Sequence, residues 1–175
     1  MSTHLHKLAA RPAPHVSITF NELPRQAREK SIEALNHLLV EVQDVALCAR
    51  HAHWNARGPS FISVHELFER VTQTLQKQAD SLAERVGALG GEALGTVQSI
   101  ATQTSLKPYP VRVADGQDHL EAIAMRLGLL SAEARLLIHQ CNGLGDPVTV
   151  DVLTSANADI DHALWLVESH LVPRR

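Results

Sequence analysis

The sequence predicts an all-α protein, a four-helix bundle with one long crossover, and three observations carry that expectation. The prolines, at 12, 14, 24, 59, 108, 110, 147 and 173, leave four long proline-free stretches, each able to hold an unbroken helix. All four stretches repeat apolar residues at three- and four-residue steps, the period of one helix face. None shows sustained period-two alternation, the mark of a half-buried strand.

The first helix carries Ile32, Leu35, Leu39, Val42, Ala46 and Ala49 on one stripe. Asn21 is its expected N-cap, with Pro24 in the first turn, where a missing N–H does no harm. Gly58-Pro59 separates it from the second helix, whose stripe is Val64, Leu67, Phe68, Val71, Leu75, Leu82, Val86 and Leu89. Gly90-Gly91 ends that helix. The connection from Gly90 to Asp115 is long, and its SIATQT segment is expected to form a short extra helix. A third long helix follows with Leu120, Ile123, Leu127, Leu130, Ala134, Leu137 and Cys141. Asp146-Pro147 then reads as a cap and first-turn proline for the fourth, with Leu153, Ile160, Leu164, Val167 and Leu171. The short connections make one-two and three-four antiparallel pairs. Residues 1–20, rich in His, Pro and Ala, read as a flexible tail, and 21–175 as one domain.

Composition narrows the function. Of the 175 residues 45% are hydrophobic but only 3% aromatic, so the core must be aliphatic. A charged fraction of 20% and a net charge of −3 argue against disorder and against an overall basic, nucleic-acid-binding body. The amino-terminal run breaks its apolar residues with His, Lys, Arg and Pro, unlike a signal peptide. No stretch is long and apolar enough to span a membrane, so a cytoplasmic protein is expected. Cys48 and Cys141 form no CxxC pair and read as reduced, buried thiols. The 11 histidines, against 16 Lys and Arg together, are the unusual entry in the composition.

The second helix holds the first chemical signal. His65 and Glu69 are four residues apart, as are Asp80 and Glu84, so each pair shares a face. From Glu69 to Asp80 is close to three whole turns, which puts both pairs on one side with Thr72, Gln73 and Gln76 between them. Carboxylates and imidazole at this spacing suit divalent iron or manganese. The plainer account is a solvated, salt-bridged face, with Asp80 beside Lys77 and Glu84 beside Arg85. Glu69 and Asp80 are roughly 16 Å apart along the helix, too far to share a metal. An antiparallel second copy would bring His65 and Glu69 against its Asp80 and Glu84, as a two-fold axis allows. No Glu-x-x-His pair is present for a site inside the bundle.

The run His53-Trp54-Asn55-Ala56-Arg57-Gly58-Pro59-Ser60-Phe61-Ile62-Ser63-Val64-His65-Glu66-Leu67-Phe68 closely resembles the signature of the Dps family, the mini-ferritins. Asp80-Ser81-Leu82-Ala83-Glu84-Arg85, Leu89-Gly90-Gly91, Gly145-Asp146 with Asp151, and Leu164-Trp165-Leu166-Val167-Glu168 continue the match over about Glu22 to Leu171. The resemblance implies a ferritin-like bundle assembled as a hollow homododecamer of two-fold dimers. It implies a ferroxidase site for two irons, with His53, His65 and Glu69 from one subunit and Asp80 and Glu84 from its mate. Glu69 stands where the family usually has Asp, one methylene further out. Trp54 resembles the family's tryptophan beside the site, an electron donor or simply a buried aromatic. His53 read alone is either a buried, hydrogen-bonded imidazole or a ligand; the resemblance favours the ligand. Asp151, with Asp146, is expected to line an acidic iron-entry pore, although Asp146 is first a helix cap.

The implied function is oxidation of Fe²⁺ by hydrogen peroxide (or O₂), storage of the ferric product inside the shell, and protection of DNA and cell from oxidative damage. The alternative is physical DNA protection through the tail, which offers Lys7 and Arg11, with Arg174 and Arg175 at the other end. Twelve chains would sum to roughly −36, which opposes phosphate binding at neutral pH. His4, His6 and His15 would favour it at lower pH, and His4-Leu5-His6 is also a weak candidate for an extra metal site. His51 reads as a surface residue, and His37, His119, His139, His162 and His170 as surface or capping positions.

Overall fold

A computed structural model describes residues 16–110, 112 and 115–171. It contains five helices: α1 (Arg25–Asn55), α2 (Phe61–Ala88), α3 (Val97–Gln103), α4 (Gly116–Gly143) and α5 (Pro147–Glu168). No strand occurs among the described residues. The four long helices form the bundle, and α3 is the short helix expected in the crossover. Helix α1 packs mainly on α2 and α4 mainly on α5, while α1 against α4 and α2 against α5 close the remaining sides. The first fifteen residues of the expected tail, with His4, His6, Lys7, Arg11 and His15, lie outside the described residues, as do Arg174 and Arg175.

The core is built from the aliphatic stripes. Ile32, Leu35, Leu38, Val42, Leu75, Leu82, Leu120, Ile123, Leu127, Leu153 and Ile160 are all fully buried, and Phe68 is the one large aromatic among them. At about 25 cal/mol per Å² of apolar area, burying each such side chain contributes roughly 1.5–3 kcal/mol. Truncating one to alanine would cost about 2–5 kcal/mol, because the packed neighbours cannot fill the hole. Cys48 and Cys141 are free and buried. Burial pushes the Cys48 thiol up to about 12 and the Cys141 thiol up to about 11, so both stay protonated and unreactive.

The helix ends follow the sequence with one exception. Asp115 accepts from the Gln117 backbone N–H and Asp146 from that of Thr149, each satisfying a donor in its helix's first turn. Asn21 does not cap α1. Its Oδ1 accepts from Leu23 N–H at 3.0 Å, a local turn that leaves Pro24, in extended conformation, directly before Arg25 with no side-chain cap. Gly90 ends α2 at φ +86°, where a Cβ would lie 3.0 Å from the Ser17 carbonyl. That carbonyl belongs to the entering chain, whose Ser17 N–H donates to Gly90 O at 2.8 Å. A Cβ on Gly91 would meet the Ile32 side chain at 2.9 Å, so Gly91→Ala should overpack the core by about 1–3 kcal/mol.

Polar side chains fix the crossover to α1. The Asn36 amide donates to Glu92 O and accepts from Leu94 N–H, both at 2.9 Å. Further on, buried Glu41 accepts from Ser105 N–H at 2.7 Å, and Thr104 Oγ1 donates to Asp44 at 2.7 Å. The crossover then returns to the α1–α2 turn, where Gly116 N–H donates to Arg57 O at 3.0 Å. These ties set the position of the α1 C-terminus, where the histidine motif lies.

Candidate metal centre

Helix α1 ends at Asn55 and α2 starts at Phe61, so the tight turn at Gly58-Pro59 folds His53 back against His65. Their rings stack with centroids 3.7 Å apart and planes 22° from parallel. Each ring bonds the other residue's main chain: His53 Nδ1 to His65 O at 2.9 Å, and His65 Nδ1 to His53 O at 2.8 Å. A carbonyl only accepts, so each Nδ1 must carry a proton. In the neutral ring this leaves the Nε2 lone pair as the free donor atom, the orientation that carbonyl-anchored metal-binding histidines use. The two rings thus support a ligand role for both residues.

Glu69 stands one turn after His65 and is exposed, its Oε1 accepting from Gln73 Nε2 at 3.4 Å. It lines a cleft of about 250 Å³ with His53, Trp54, Arg50, Thr72, Gln73 and Gln76. Asp80 lies further along α2 in a neighbouring cleft, shared with Leu47, Val97, Lys77 and again Arg50 and Gln76. Asp80 and Glu84 are both exposed. Among the described residues neither makes an ion pair: Lys77 does not bridge to Asp80, and Arg85 turns away to Asp146 at 2.8 Å. The salt-bridged face is therefore not what the helix forms. Within one chain, no group of three or more His, Cys, Asp or Glu among the described residues is close enough to hold a metal. The fold brings His53 and His65 into ring contact and places Glu69 in a cleft with His53, while Asp80 lines a separate cleft.

Two surroundings were not evident from sequence. Trp54 is 69% exposed in the single chain, so it is no buried core aromatic. Arg50 lines both clefts and places a cation between the two acidic positions; its only signal in the sequence is its place one turn before His53 and Trp54.

The other expected acids separate. Asp151 is exposed on the first turns of α5, but Asp146 is fully buried. Its carboxylate accepts from Arg85 at 2.8 Å, from Thr149 Oγ1 at 2.6 Å and from Thr149 N–H at 3.1 Å. Burial opposes its ionisation, yet the Thr149 hydrogen bonds and the Arg85 guanidinium outweigh that and hold its pKa below the ordinary value. Asp146 is a cap and ion-pair partner first. Of the remaining histidines, His37 pairs with Glu133 at 3.1 Å, and His170 Nδ1 donates to Leu166 O at 2.8 Å near the end of α5. His119 departs from its surface expectation: it is fully buried, because α4 turns it inward against the returning crossover. No helix among the described residues is long and apolar enough to cross a membrane.

A ferritin-like domain model matches residues 32–174. The chain is 42% identical over 153 residues to the DNA protection during starvation protein of Agrobacterium fabrum, covering 87% of this chain and 94% of that one. The chain belongs to the Dps family of ferritin-like proteins. Two Dps structures illustrate the shared fold. DpsA14 from Streptomyces coelicolor superposes with a TM-score of 0.87 at 30% identity, over 93% of this chain and 96% of that one. Dps from Microbacterium arborescens in the high iron form gives 0.80 at 27% identity, over 88% and 98%. Membership in the Dps family supports iron binding and a ferritin-type storage and protective role.

Proposed function

We propose that this Dps protein is a ferroxidase that oxidises Fe²⁺ at sites shared between two-fold-related subunits and stores the ferric product inside a hollow homododecamer. Two irons are held per site by His53, His65 and Glu69 of one subunit with Asp80 and Glu84 of the other. The observation that carries this reading is the paired state of the ligands. His53 and His65 are fixed by each other's carbonyls with Nε2 left over, while Asp80 and Glu84 stand exposed with no ion pair among the described residues. Exposed Leu47 and Val97, 51% and 69% accessible, line the Asp80 cleft, and Trp54 borders the other. Unpaired charge ringed by exposed apolar side chains is what a surface covered by a second copy would leave in one chain alone.

The chemistry follows from the donor set. Carboxylate oxygens and imidazole nitrogens bind Fe²⁺, and the hard oxygens favour Fe³⁺ more strongly, which lowers the potential and promotes oxidation. Hydrogen peroxide is the oxidant we favour over O₂. Two irons give it two electrons together, so both oxygens leave as water or hydroxide and no hydroxyl radical escapes. Glu69 reaches one methylene further than an aspartate would and keeps an oxygen ligand at the same turn. Asp151, exposed on α5, is a candidate for the iron-entry path; Asp146 would shape that end of the subunit from beneath. A cytoplasmic setting is consistent with the two free thiols. Physical DNA protection would rest on Lys7 and Arg11 of the tail, which lie outside the described residues.

Anaerobic titration with Fe²⁺, followed by peroxide, tests this reading in one vessel. Saturable binding near two irons per subunit, then a ferric absorbance that stays soluble, is expected. Iron that precipitates as fast as in protein-free buffer would defeat it.

A further inference from the structure

The chain has a single tyrosine, Tyr109, and neither the fold nor the metal centre calls for a hydroxyl there. It lies in the crossover, more than half removed from solvent, with its oxygen 2.7 Å from Nδ1 of fully buried His119. The two rings are near parallel, centroids 5.9 Å apart and planes at 13°. The phenol makes no other hydrogen bond among the described residues, so its O–H donates to Nδ1 and satisfies both groups. Burial pushes the phenol's pKa well up from its ordinary value, so it keeps its proton at neutral pH. The Arg126 guanidinium sits 4.8 Å over the ring and donates to Lys107 O at 2.8 Å. The His51 ring meets Tyr109 edge-on at 5.5 Å, and His51 lies one helical turn before Trp54 on the same side of α1. Cys48, protonated, is the other titratable neighbour.

We propose that Tyr109 and His119 form a proton-coupled electron donor, refilling Trp54 when a single Fe²⁺ meets peroxide. This inference rests on the ferroxidase reading for its source of oxidant. With only one iron available, Fe²⁺ and H₂O₂ give Fe³⁺, hydroxide and a hydroxyl radical, a one-electron oxidant. Exposed Trp54, lining the cleft, supplies the electron that converts the radical to hydroxide. Tyr109 then returns an electron to Trp54 and passes its phenolic proton to His119 Nδ1, becoming a neutral tyrosyl radical. Once the proton equilibrates with solvent, Fe²⁺, H₂O₂ and Tyr109–OH have become Fe³⁺, hydroxide, water and Tyr109–O•. The cation over the ring makes loss of the electron alone unfavourable, because the ring would become positive beside Arg126. Loss of the proton in the same step removes that penalty, and His119 is the acceptor placed to take it. Transfer of the damage inward, to one buried phenol, keeps it from the protein surface and from solutes.

Rapid-freeze electron paramagnetic resonance tests this on the assembled protein, loaded with fewer than two Fe²⁺ per subunit and mixed with peroxide. Because there is one tyrosine, any neutral tyrosyl signal is Tyr109. Wild type should show it, Tyr109→Phe should lose it, and His119→Gln should shift its hydrogen-bond-sensitive g value or lower its yield. A wild type with no tyrosyl signal overturns the proposal, as does a signal that survives Tyr109→Phe. If wild type oxidises no iron, the ferroxidase reading falls; azide radicals applied to metal-free protein then decide the tyrosine separately. There the tryptophan radical should decay into a tyrosyl radical in wild type and not in Tyr109→Phe. A tryptophan radical that decays identically in both overturns the pair as a donor.

Discussion

Two acidic regions of α2 and its neighbours have opposite fates. At the α4–α5 turn, Asp146 is buried with every need met, by Arg85, Thr149 Oγ1 and Thr149 N–H. Along α2, Asp80 and Glu84 are exposed and form no ion pair among the described residues, although Lys77 and Arg85 are near in sequence. A chain that can pair a carboxylate so thoroughly in one place leaves two unpaired in another, bordered by exposed apolar side chains. The first arrangement holds a subunit together. The second fits the proposed site, in which the partners of these carboxylates would be iron and a second subunit.

Substitutions should separate the two regions. The largest effect is expected from Asp80→Asn with Glu84→Gln. Losing a residue that only hydrogen-bonds to a metal ligand costs about 10–100-fold at metal sites, so loss of two ligands should lower peroxide-dependent iron oxidation by more than about 100-fold, read from the ferric absorbance. Its urea midpoint should stay near wild type, since no contact within the chain is removed. Asp146→Ala should do the reverse, costing about 3–5 kcal/mol in urea unfolding by stranding Arg85 and opening the α5 cap. Asp146 also gives stability a pH dependence. Its pKa is lower in the folded chain, so its contribution is complete above the ordinary carboxylate range near pH 3.9 and is lost as pH falls through the depressed native value. Asp146→Asn should flatten that part of the acid-unfolding curve. The smallest effect belongs to Glu69→Asp, which keeps the oxygen and shortens its reach; iron affinity measured by anaerobic titration should change by less than about 10-fold.

The helices were legible because prolines bound them and aliphatic residues repeat at the helical period. Asp146 announces its cap by standing directly before Pro147, whereas the Asp115 cap of α4 emerges only in the structure. Asn21 misled because the same side chain can bond its own turn two residues on, and only the path of Pro24 decides which it does. The His65/Glu69 and Asp80/Glu84 pairs on α2 came from face arithmetic, and their assignment to one iron site from the resemblance. The stacking of His53 on His65 did not, because it depends on how sharply the chain reverses at Gly58-Pro59. Arg85–Asp146 joins residues far apart in the chain, and its sequence neighbour Glu84 offered a nearer, wrong partner. Tyr109 and His119 are hidden for a similar reason: a loop residue and a helix residue meet only after the crossover closes.

The central claim is that each metal site draws ligands from two subunits, and mixing inactive variants tests it most directly. His53→Ala/His65→Ala and Asp80→Asn/Glu84→Gln chains would be unfolded, combined in equal amounts and reassembled together. In a mixed dimer one site then has all its ligands and the other keeps only Glu69. Random pairing should restore about one quarter of wild-type iron oxidation, while each variant alone stays inactive. A co-assembled mixture no more active than its parents would contradict the shared site.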